Sequence, residues 1–299
     1  MRRRSFIRQL GLAAALPWLG RVALAAPARP AKTATHKLIS CNVRVDVPED
    51  SNTGDGWAQR KDFCAEVMRT QKADLIGLQE VQEVHFKDLK KRLPDYDSYA
   101  LLNGKGGFHP NCAILFLRAR YEMISAGGFW LSETPHVAGS KSWDSKNARL
   151  VNWVHLHERG SGKQFRFWNT HLDHIGHEAR EQGAVLIVQA SAVLGADFPQ
   201  LLSGDMNASV THPAIKQLVN GGWWDTYAAV HGPTDPGGTY HGFKGAKYPV
   251  NKPNGEPHQK IDWIFARGSV KPRAAAIIRD GRNDHYPSDH YFISAEVEI

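Results

Sequence analysis

The stretch Gln200-Leu201-Leu202-Ser203-Gly204-Asp205-Met206-Asn207 places an acid and an amide directly after a short apolar run. A run of this length, ended by a glycine, predicts a buried β-strand at residues 200–204. A carboxylate beside buried residues needs a partner or an ion to offset its lost hydration. Asp205 and Asn207 are therefore candidates for a reactive site at the end of this strand.

Five other segments place polar side chains at strand boundaries in the same way. They are Asn42 in Ser40-Cys41-Asn42-Val43, Glu80 in Gly77-Leu78-Gln79-Glu80, His171 in Asn169-Thr170-His171, Asp262 in Ile261-Asp262-Trp263, and Asp289 with His290 in Ser288-Asp289-His290-Tyr291. Each signal is weak by itself, because a lone Asp after a strand is usually a turn residue and a lone buried His is usually hydrogen-bonded. The ordered set of six segments is much more specific.

The remaining pattern predicts an α+β fold. Strands are predicted at 37–43, 74–79, 113–117, 150–156, 164–169, 200–204, 260–265 and 291–297, and helices at 57–69, 85–93 and 175–194. Strands and helices that do not alternate strictly favour two packed sheets covered by helices. No repeat or second domain is indicated.

The first 25 residues have the pattern of a signal peptide. Paired arginines and Ser-Phe-Ile precede an apolar run at residues 10–19, and small residues lead to a cleavage site near Ala26. The arginines resemble a twin-arginine signal, with a Sec signal as the alternative. The apolar run is too short for a stable membrane span. We expect a leader at 1–25, a linker at 26–34, one domain at 35–299, and a periplasmic or secreted location in a bacterium.

Charge does not favour a nucleic-acid-binding surface. The chain has 37 basic and 30 acidic residues, but five of the arginines and none of the acids lie in the predicted leader, which leaves 32 against 30 and a net charge of +2. Tracking a polyanion requires a much stronger basic excess. The three cysteines show no CxxC spacing, so buried free thiols are expected, with one disulfide as the alternative.

Taken in order, these motifs resemble the endonuclease/exonuclease/phosphatase superfamily, the DNase-I-like fold, over nearly the whole predicted mature length. Segments Phe129-Trp130-Leu131-Ser132-Glu133-Thr134-Pro135, Gly139-Ser140-Lys141-Ser142-Trp143-Asp144 and Gly238-Thr239-Tyr240-His241-Gly242-Phe243 resemble its secreted bacterial branch. The resemblance implies a four-layer α/β/β/α sandwich, in which two packed mixed β-sheets are flanked by helices. It places the site at one end of the sheets.

The resemblance also implies how a metal and water would be held. Glu80, supported by Asn42 and with Asp289 nearby, would bind Mg2+, which prefers oxygen ligands, and Mn2+ is an expected substitute. Asp205 and Asn207 would position and deprotonate the attacking water.

A second implied group addresses the phosphate. His290, oriented by Asp262, would stabilise charge in the transition state, and His171 would contact the same phosphate. Arg149 is an additional clamp, because a guanidinium matches phosphate oxygens bidentately, with a surface arginine at a strand edge as the alternative.

Loop residues around these segments complete the expected site. Asp173 and His174 are expected to contact substrate, and His241 and Trp143 to shape the pocket, with plain loop packing as the alternative. Four side chains also lie close enough in sequence to bind a transition metal such as Zn2+: His171, Asp173, His174 and His177. A substrate contact or second-metal contact by Asp173 is the preferred interpretation.

The sequence thus predicts a secreted, Mg2+-dependent phosphoesterase. A nuclease-like phosphodiesterase acting on a nucleic acid or a lipid head group is the first hypothesis. A phosphomonoesterase acting on a sugar or inositol phosphate is the second. A non-catalytic binding module on the same fold is disfavoured, because such a module would have lost expected site residues that are all present here. No oligomer is predicted.

Overall fold

A computed structural model describes residues 33–101 and 111–299; the predicted leader and most of the predicted linker lie outside them. The strands within the described residues are β1 (Thr35–Asn42), β2 (Leu75–Gln79), β3 (Tyr96–Tyr99), β4 (Ile114–Leu117), β5 (Tyr121–Trp130), β6 (Leu150–Glu158), β7 (Gln164–His171), β8 (Gln200–Asp205), β9 (Trp224–Asp225), β10 (Asp262–Arg267), β11 (Lys271–Ile278) and β12 (Phe292–Glu298). The helices are α1 (Pro48–Asn52), α2 (Trp57–Thr70), α3 (Glu83–Arg92), α4 (His177–Ala192), α5 (Pro213–Asn220), α6 (Thr226–His231) and a 3-10 turn at Gly245–Lys247.

The strands form two mixed sheets of six. The first has the order β11-β12-β1-β2-β4-β3 and the second β5-β6-β7-β8-β10-β9. Each contains one parallel pair, β1 with β2 and β7 with β8, and its other pairs are antiparallel. Parallel neighbours end at the same sheet edge, so the two parallel pairs bring four strand ends together.

Three apolar clusters between the layers hold the fold together. One lies between the sheets and includes Leu38, Phe167 and Leu201. A second joins the outer face of the first sheet to α2 and α3. A third joins the outer face of the second sheet to α4 and α5. The result is the predicted four-layer α/β/β/α sandwich.

Side chains facing the other sheet change from apolar to polar along the strands that form the site. Because side chains alternate between faces, Leu38, Ser40 and Asn42 of β1 share one face. Two other strands show the same gradient: Phe167, Asn169 and His171 in β7, and Leu201, Ser203 and Asp205 in β8. The polar end of this gradient is the sheet edge where the parallel pairs end.

All predicted strands and helices are present, with shifted ends. The helix predicted from residue 175 starts at His177, because the backbone N–H groups of Ile175 and Gly176 donate to Asp173 Oδ1 in a preceding turn. The pattern did not predict β3, β5, β9, β11, α1, α5 or α6. No α-helix in the described part of the chain is long and apolar enough to cross a membrane.

Candidate active site

A cavity of about 690 Å³ opens where the parallel strand pairs end. Six of the side chains predicted to carry the chemistry line it: Glu80, His171, Asp205, Asn207, Asp289 and His290. Asn42 and Asp262 lie directly behind this lining, each buried and bonded to a lining residue. The fold therefore brings together all eight residues of the six motif segments.

Asn42 connects the two sheets at this edge. Its Nδ2 donates to Glu80 Oε1 at 3.0 Å and to Asp205 Oδ2 at 3.0 Å. The other oxygen of Glu80 accepts from the backbone N–H of Val45 at 2.9 Å. Glu80 has a φ of 60°, a left-handed conformation that is costly for this residue type and common at functional sites.

Glu80 is ionised in this setting. Burial raises its pKa, but the hydrogen bonds from Asn42 and Val45 and the charge of His290 outweigh burial and lower the pKa to about 2. A fixed carboxylate therefore faces the cavity, which is what a divalent cation requires.

The pKa of Asp205 is raised, in contrast to that of Glu80. Burial and the nearby charge of Asp262 raise its pKa to about 7. Its Oδ1 accepts from the backbone N–H of Asn207 at 2.9 Å, and its Oδ2 lies 3.4 Å from His171 Nε2. A carboxyl group with a pKa near neutrality can take up or release a proton under working conditions.

His290 and Asp262 form a buried charged pair. Nδ1 of His290 lies 2.9 Å from Asp262 Oδ2, and Nε2 lies 3.7 Å from Asp205 Oδ2. Burial alone would lower the pKa of His290, but the carboxylates of Asp262 and Asp205 raise it well above its ordinary value. His290 is therefore an imidazolium whose Nε2–H faces the cavity centre.

His171 stays neutral. Burial and the charge of Arg149 lower its pKa well below the ordinary value. The Nδ2 of Asn207 lies 2.9 Å from His171 Nε2 and also donates to the carbonyl of Leu172. Because an amide nitrogen only donates, Nε2 of His171 is the acceptor of this bond.

The donor set fits one divalent cation. Glu80, His171 and Asp205 offer ligand atoms within 4.8 Å of one another, and Asp289 lines the same cavity. Asp205, Asp262 and His290 form a second such group, but His290 is protonated there and occupied by Asp262. The carboxylates of Glu80 and Asp205, with Asp289 nearby, are therefore the candidate metal ligands, since Nε2 of His171 already accepts from Asn207.

Asp173 does not line the cavity, in contrast to its expected contact with substrate. It is 1% exposed, and its oxygens accept from backbone N–H groups, among them those of Asn147 at 2.9 Å and Gly176 at 2.8 Å. Burial raises its pKa, but these donors outweigh burial and hold the pKa below its usual range. Its Oδ2 also lies 3.5 Å from Arg149 Nε, so it supports Arg149 from behind. Arg149 and His174 both line the cavity.

The cluster of Zn2+ ligands that the sequence left as an alternative does not assemble. His174 Nδ1 faces Arg149, while His177 Nδ1 lies 3.1 Å from His212 Nε2 and 3.0 Å from Arg180 Nη2. Within residues 33–101 and 111–299, neither group of three or more candidate metal ligands includes Asp173, His174 or His177. Backbone amides and guanidinium groups occupy these side chains instead.

His241 and Trp143 also lie outside the cavity lining. His241 is buried, packs 4.1 Å from Tyr291 between ring centroids, and accepts from the backbone N–H of Gly245. Trp143 is half-buried in a loop. Neither side chain forms the wall that the sequence assigned to it.

The lining residues that were not predicted include Arg44 and Tyr240. Arg44 follows the Asn42 motif, and its Nε lies 2.9 Å from Asp50 Oδ2 and 3.7 Å from Asp289 Oδ2. Tyr240 is 37% exposed, and its ring centroid lies 5.2 Å from that of His290. Tyr240 directly precedes His241 in a motif already singled out, but both lie outside the strands, so strand alternation could not show which of the two faces the cavity.

A family profile and similar solved structures indicate the same family for this chain. The profile of the Endonuclease/Exonuclease/phosphatase family matches residues 39–290. An endonuclease/exonuclease/phosphatase family protein from Bacteroides thetaiotaomicron is 30% identical, with a TM-score of 0.79 over 90% of this chain and 99% of that chain. A mannosyl-6-phosphatase from the same organism is 30% identical, with a TM-score of 0.76 over 88% and 99%.

More distant structures share the fold alone. The human nocturnin catalytic domain is 19% identical, with a TM-score of 0.67 over 90% of this chain and 98% of that chain. No curated protein matches the chain. The matched residues span both sheets and the whole cavity. The chain belongs to the endonuclease/exonuclease/phosphatase family, whose members are hydrolases acting on phosphate esters.

Proposed function

We propose that this protein is a Mg2+-dependent phosphoesterase in which water attacks the phosphorus in line with the leaving oxygen. The main support is a pair of buried groups, the carboxyl group of Asp205 and the imidazolium of His290. Oδ2 of Asp205 lies 3.7 Å from Nε2 of His290, and the pKa of Asp205 is raised to about 7. One group can accept the proton of a water molecule while the other stabilises negative charge on phosphate.

Glu80 and Asp289 are the residues that would hold Mg2+, with Asp205 and His171 beside them. When bound, a divalent cation neutralises oxyanion charge and assists departure of the leaving oxygen. Asn42 fixes Glu80 and Asp205 relative to each other through its two hydrogen bonds. Carboxylate oxygens suit Mn2+ as well as Mg2+, in line with the expected substitution.

Asp205 acts as the base in this proposal. The backbone N–H of Asn207 and the amide of Asn42 fix its two oxygens, which sets the direction from which it can take a proton. His171 accepts from the Asn207 amide and so orients Asn207. This support role differs from the direct phosphate contact expected for His171.

His290 donates its Nε2–H to a phosphate oxygen, and Asp262 keeps it charged and oriented through Nδ1. A preorganised charged donor in a buried site lowers the barrier because it does not have to reorganise during reaction. All groups required for turnover are assembled in one cavity, which argues against a non-catalytic module.

For the substrate we propose a phosphate monoester of a sugar ahead of the phosphodiester that the sequence ranked first. The observation that changes the order is the 30% identity to a mannosyl-6-phosphatase over 88% of this chain. A cavity of about 690 Å³ lies within the usual range of about 300–1,000 Å³ for small-molecule pockets.

The test is metal-dependent hydrolysis by the purified protein. Release of phosphate from mannose 6-phosphate and release of 4-nitrophenol from a chromogenic diester would be compared with Mg2+, Mn2+ or Zn2+ and with a chelator. Asp205→Asn should reduce kcat by about 10²-fold or more, because removal of a general base typically has an effect of that size. Asp197→Asn is the matched control, since Asp197 is exposed and remote from the cavity. Activity that persists in chelator, or is unchanged in Asp205→Asn, would refute the proposal.

We also propose that the leader exports the protein to the periplasm or beyond, which rests on the sequence pattern alone. Replacing both Arg3 and Arg4 by Lys should retain the protein in the cytoplasm if the route is twin-arginine. Normal export of that variant, measured by cell fractionation, would instead assign the Sec route.

A further inference from the structure

Arg149 and His174 form a paired donor group on one wall of the cavity. Nη2 of Arg149 lies 3.1 Å from Nδ1 of His174. A guanidinium can only donate, so Nδ1 of His174 accepts and the ring hydrogen is on Nε2. Both side chains line the cavity that contains Asp205 and His290. The pair therefore carries N–H donors on Arg149 Nη1 and His174 Nε2 beyond those used between the two residues.

Asp173 holds this pair in place. It accepts from the backbone N–H groups of Asn147, Ile175 and Gly176, and its Oδ2 lies 3.5 Å from Arg149 Nε. One buried carboxylate thus fixes both the loop that leads to Arg149 and the loop that follows His174. Within residues 33–101 and 111–299, no acceptor is bonded to Arg149 Nη1. A rigid, charged donor pair without a full set of protein acceptors fits an anionic ligand.

We propose that the Arg149–His174 pair selects a terminal phosphate, and hence a phosphate monoester, over a phosphodiester. This inference rests on the proposed function and assigns the residues that select its substrate class. A phosphate monoester has three terminal oxygens and a charge approaching −2 at neutral pH. A diester has two terminal oxygens and one negative charge, with a second ester group in place of the third oxygen.

Two other groups of the site suit terminal oxygens of a phosphate. Nε2 of His290, whose Nδ1 is bonded to Asp262, provides one donor, and the candidate metal site of Glu80 and Asp289 provides a second point of attachment. The Arg149–His174 pair supplies donors for the third oxygen of a monoester. A diester would bring an uncharged ester group against these donors and leave them without acceptors, which disfavours its binding.

The experiment compares two substrates with the same leaving group, 4-nitrophenyl phosphate and methyl 4-nitrophenyl phosphate. For Arg149→Gln, kcat/KM for the monoester should fall by about 10- to 100-fold, the range expected for losing hydrogen bonds to a charged group. The value for the diester should change by less than about threefold. Arg149→Lys, which keeps the charge but not the planar fork, should have an intermediate effect. His174→Gln should lower the monoester value alone.

Lys146→Gln is the matched control, because Lys146 is an exposed cation three residues before Arg149 and outside the cavity lining. Both of its kcat/KM values should equal those of the wild type. Thermal unfolding of each variant checks that loss of Arg149 has not released the Asp173 loop. An equal fall for both substrates in Arg149→Gln, or a wild type that hydrolyses only the diester, overturns the inference.

A binding measurement separates this inference from the proposed function. Calorimetric titration with inorganic phosphate and with dimethyl phosphate needs no turnover. Arg149→Gln should weaken binding of inorganic phosphate and leave dimethyl phosphate unchanged; unchanged phosphate affinity overturns the inference. If wild-type protein hydrolyses neither ester, the proposed function fails, and the titration still decides whether the pair recognises a terminal phosphate.

Discussion

Asp262→Asn isolates the charge that keeps His290 protonated. Oδ2 of Asp262 lies 2.9 Å from Nδ1 of His290, and both side chains are almost fully buried. Two unit charges about 4 Å apart, in an effective dielectric constant of about 20, interact by about 4 kcal/mol. Loss of this interaction removes the largest of the effects that raise the pKa of His290, so burial then favours the neutral imidazole.

A neutral His290 can no longer offer a charged donor to phosphate. We expect kcat to fall by about 10²- to 10⁴-fold, the range seen when a buried acid that orients a catalytic histidine, or one oxyanion donor, is removed. KM should change much less, because the lost interaction is strongest when charge develops on the phosphate.

The pH dependence of activity gives a second, independent test of the same role of Asp262. In the proposed mechanism Asp205 must be deprotonated and His290 protonated, so activity should rise with pH through the pKa of Asp205 and fall as His290 loses its proton. Burial and the charge of Asp262 together raise the pKa of Asp205 to about 7. Removing that charge lowers the pKa of both groups. Both limbs of the profile should therefore move to lower pH in Asp262→Asn.

The assay is kcat and KM from pH 5 to 10 at saturating Mg2+, with phosphate release as the readout, because 4-nitrophenol absorbance itself depends on pH. Asp197→Asn serves as the charge-matched control, and thermal unfolding of Asp262→Asn confirms that it folds. A kcat within threefold of wild type, or an alkaline limb that stays in place, would refute the role assigned to the pair.

Three further outcomes follow from other parts of the structure. Asn42→Ala should weaken Mg2+ binding by about 10- to 100-fold in calorimetry, since it removes the donor that orients the metal-site carboxylates; unchanged affinity would contradict this. Burial lowers the pKa of His36 and His85 to about 4, so the folded state binds fewer protons than the unfolded state between about pH 4 and 6.5. Stability should therefore be retained above pH 6.5 and decline by up to about 1.4 kcal/mol per pH unit per histidine as the pH falls to 4, and urea unfolding with no change over this range would exclude it. Burial raises the pKa of Cys64 and Cys112 to about 12, so both thiols should react with a thiol reagent only after unfolding; rapid reaction of the native protein would show that they are accessible.

The parts of the fold that the sequence predicted are those buried on both faces. Strands such as β2 and β8 read as continuous apolar runs because each face packs against another layer. The missed strand β5 lies at a sheet edge, and its eight middle residues are exposed or half-buried, so its pattern has no buried face to reveal it. Helix α5 has only eight residues, too few for a helical period to stand out.

The site could be predicted where a side chain is fixed by a strand and not where it is fixed by a loop. Asp205 and His171 inherit their direction from strand alternation. Asp173 lies only two residues beyond β7, yet it turns into a ring of backbone amides, which composition cannot reveal. The same limit explains why Tyr240 rather than His241 lines the cavity.

A buried layer of uncharged polar groups separates the apolar core from the charged cavity. Asn169 Oδ1 accepts from Gln79 Nε2 at 2.7 Å and from Ser203 Oγ at 3.0 Å, and Gln79 Nε2 also donates to Ser40 Oγ at 3.1 Å. These groups hydrogen-bond to one another between the sheets, and Ser40, Asn169 and Ser203 each lie two residues before Asn42, His171 and Asp205 on the same strands. The carboxylates above them are thus positioned by strands yet kept from bulk water. At this sheet edge the pKa of Glu80 is about 2 and that of Asp205 is about 7. Metal-assisted hydrolysis needs both kinds of carboxyl group, one that stays ionised to bind the cation and one that can accept a proton from water.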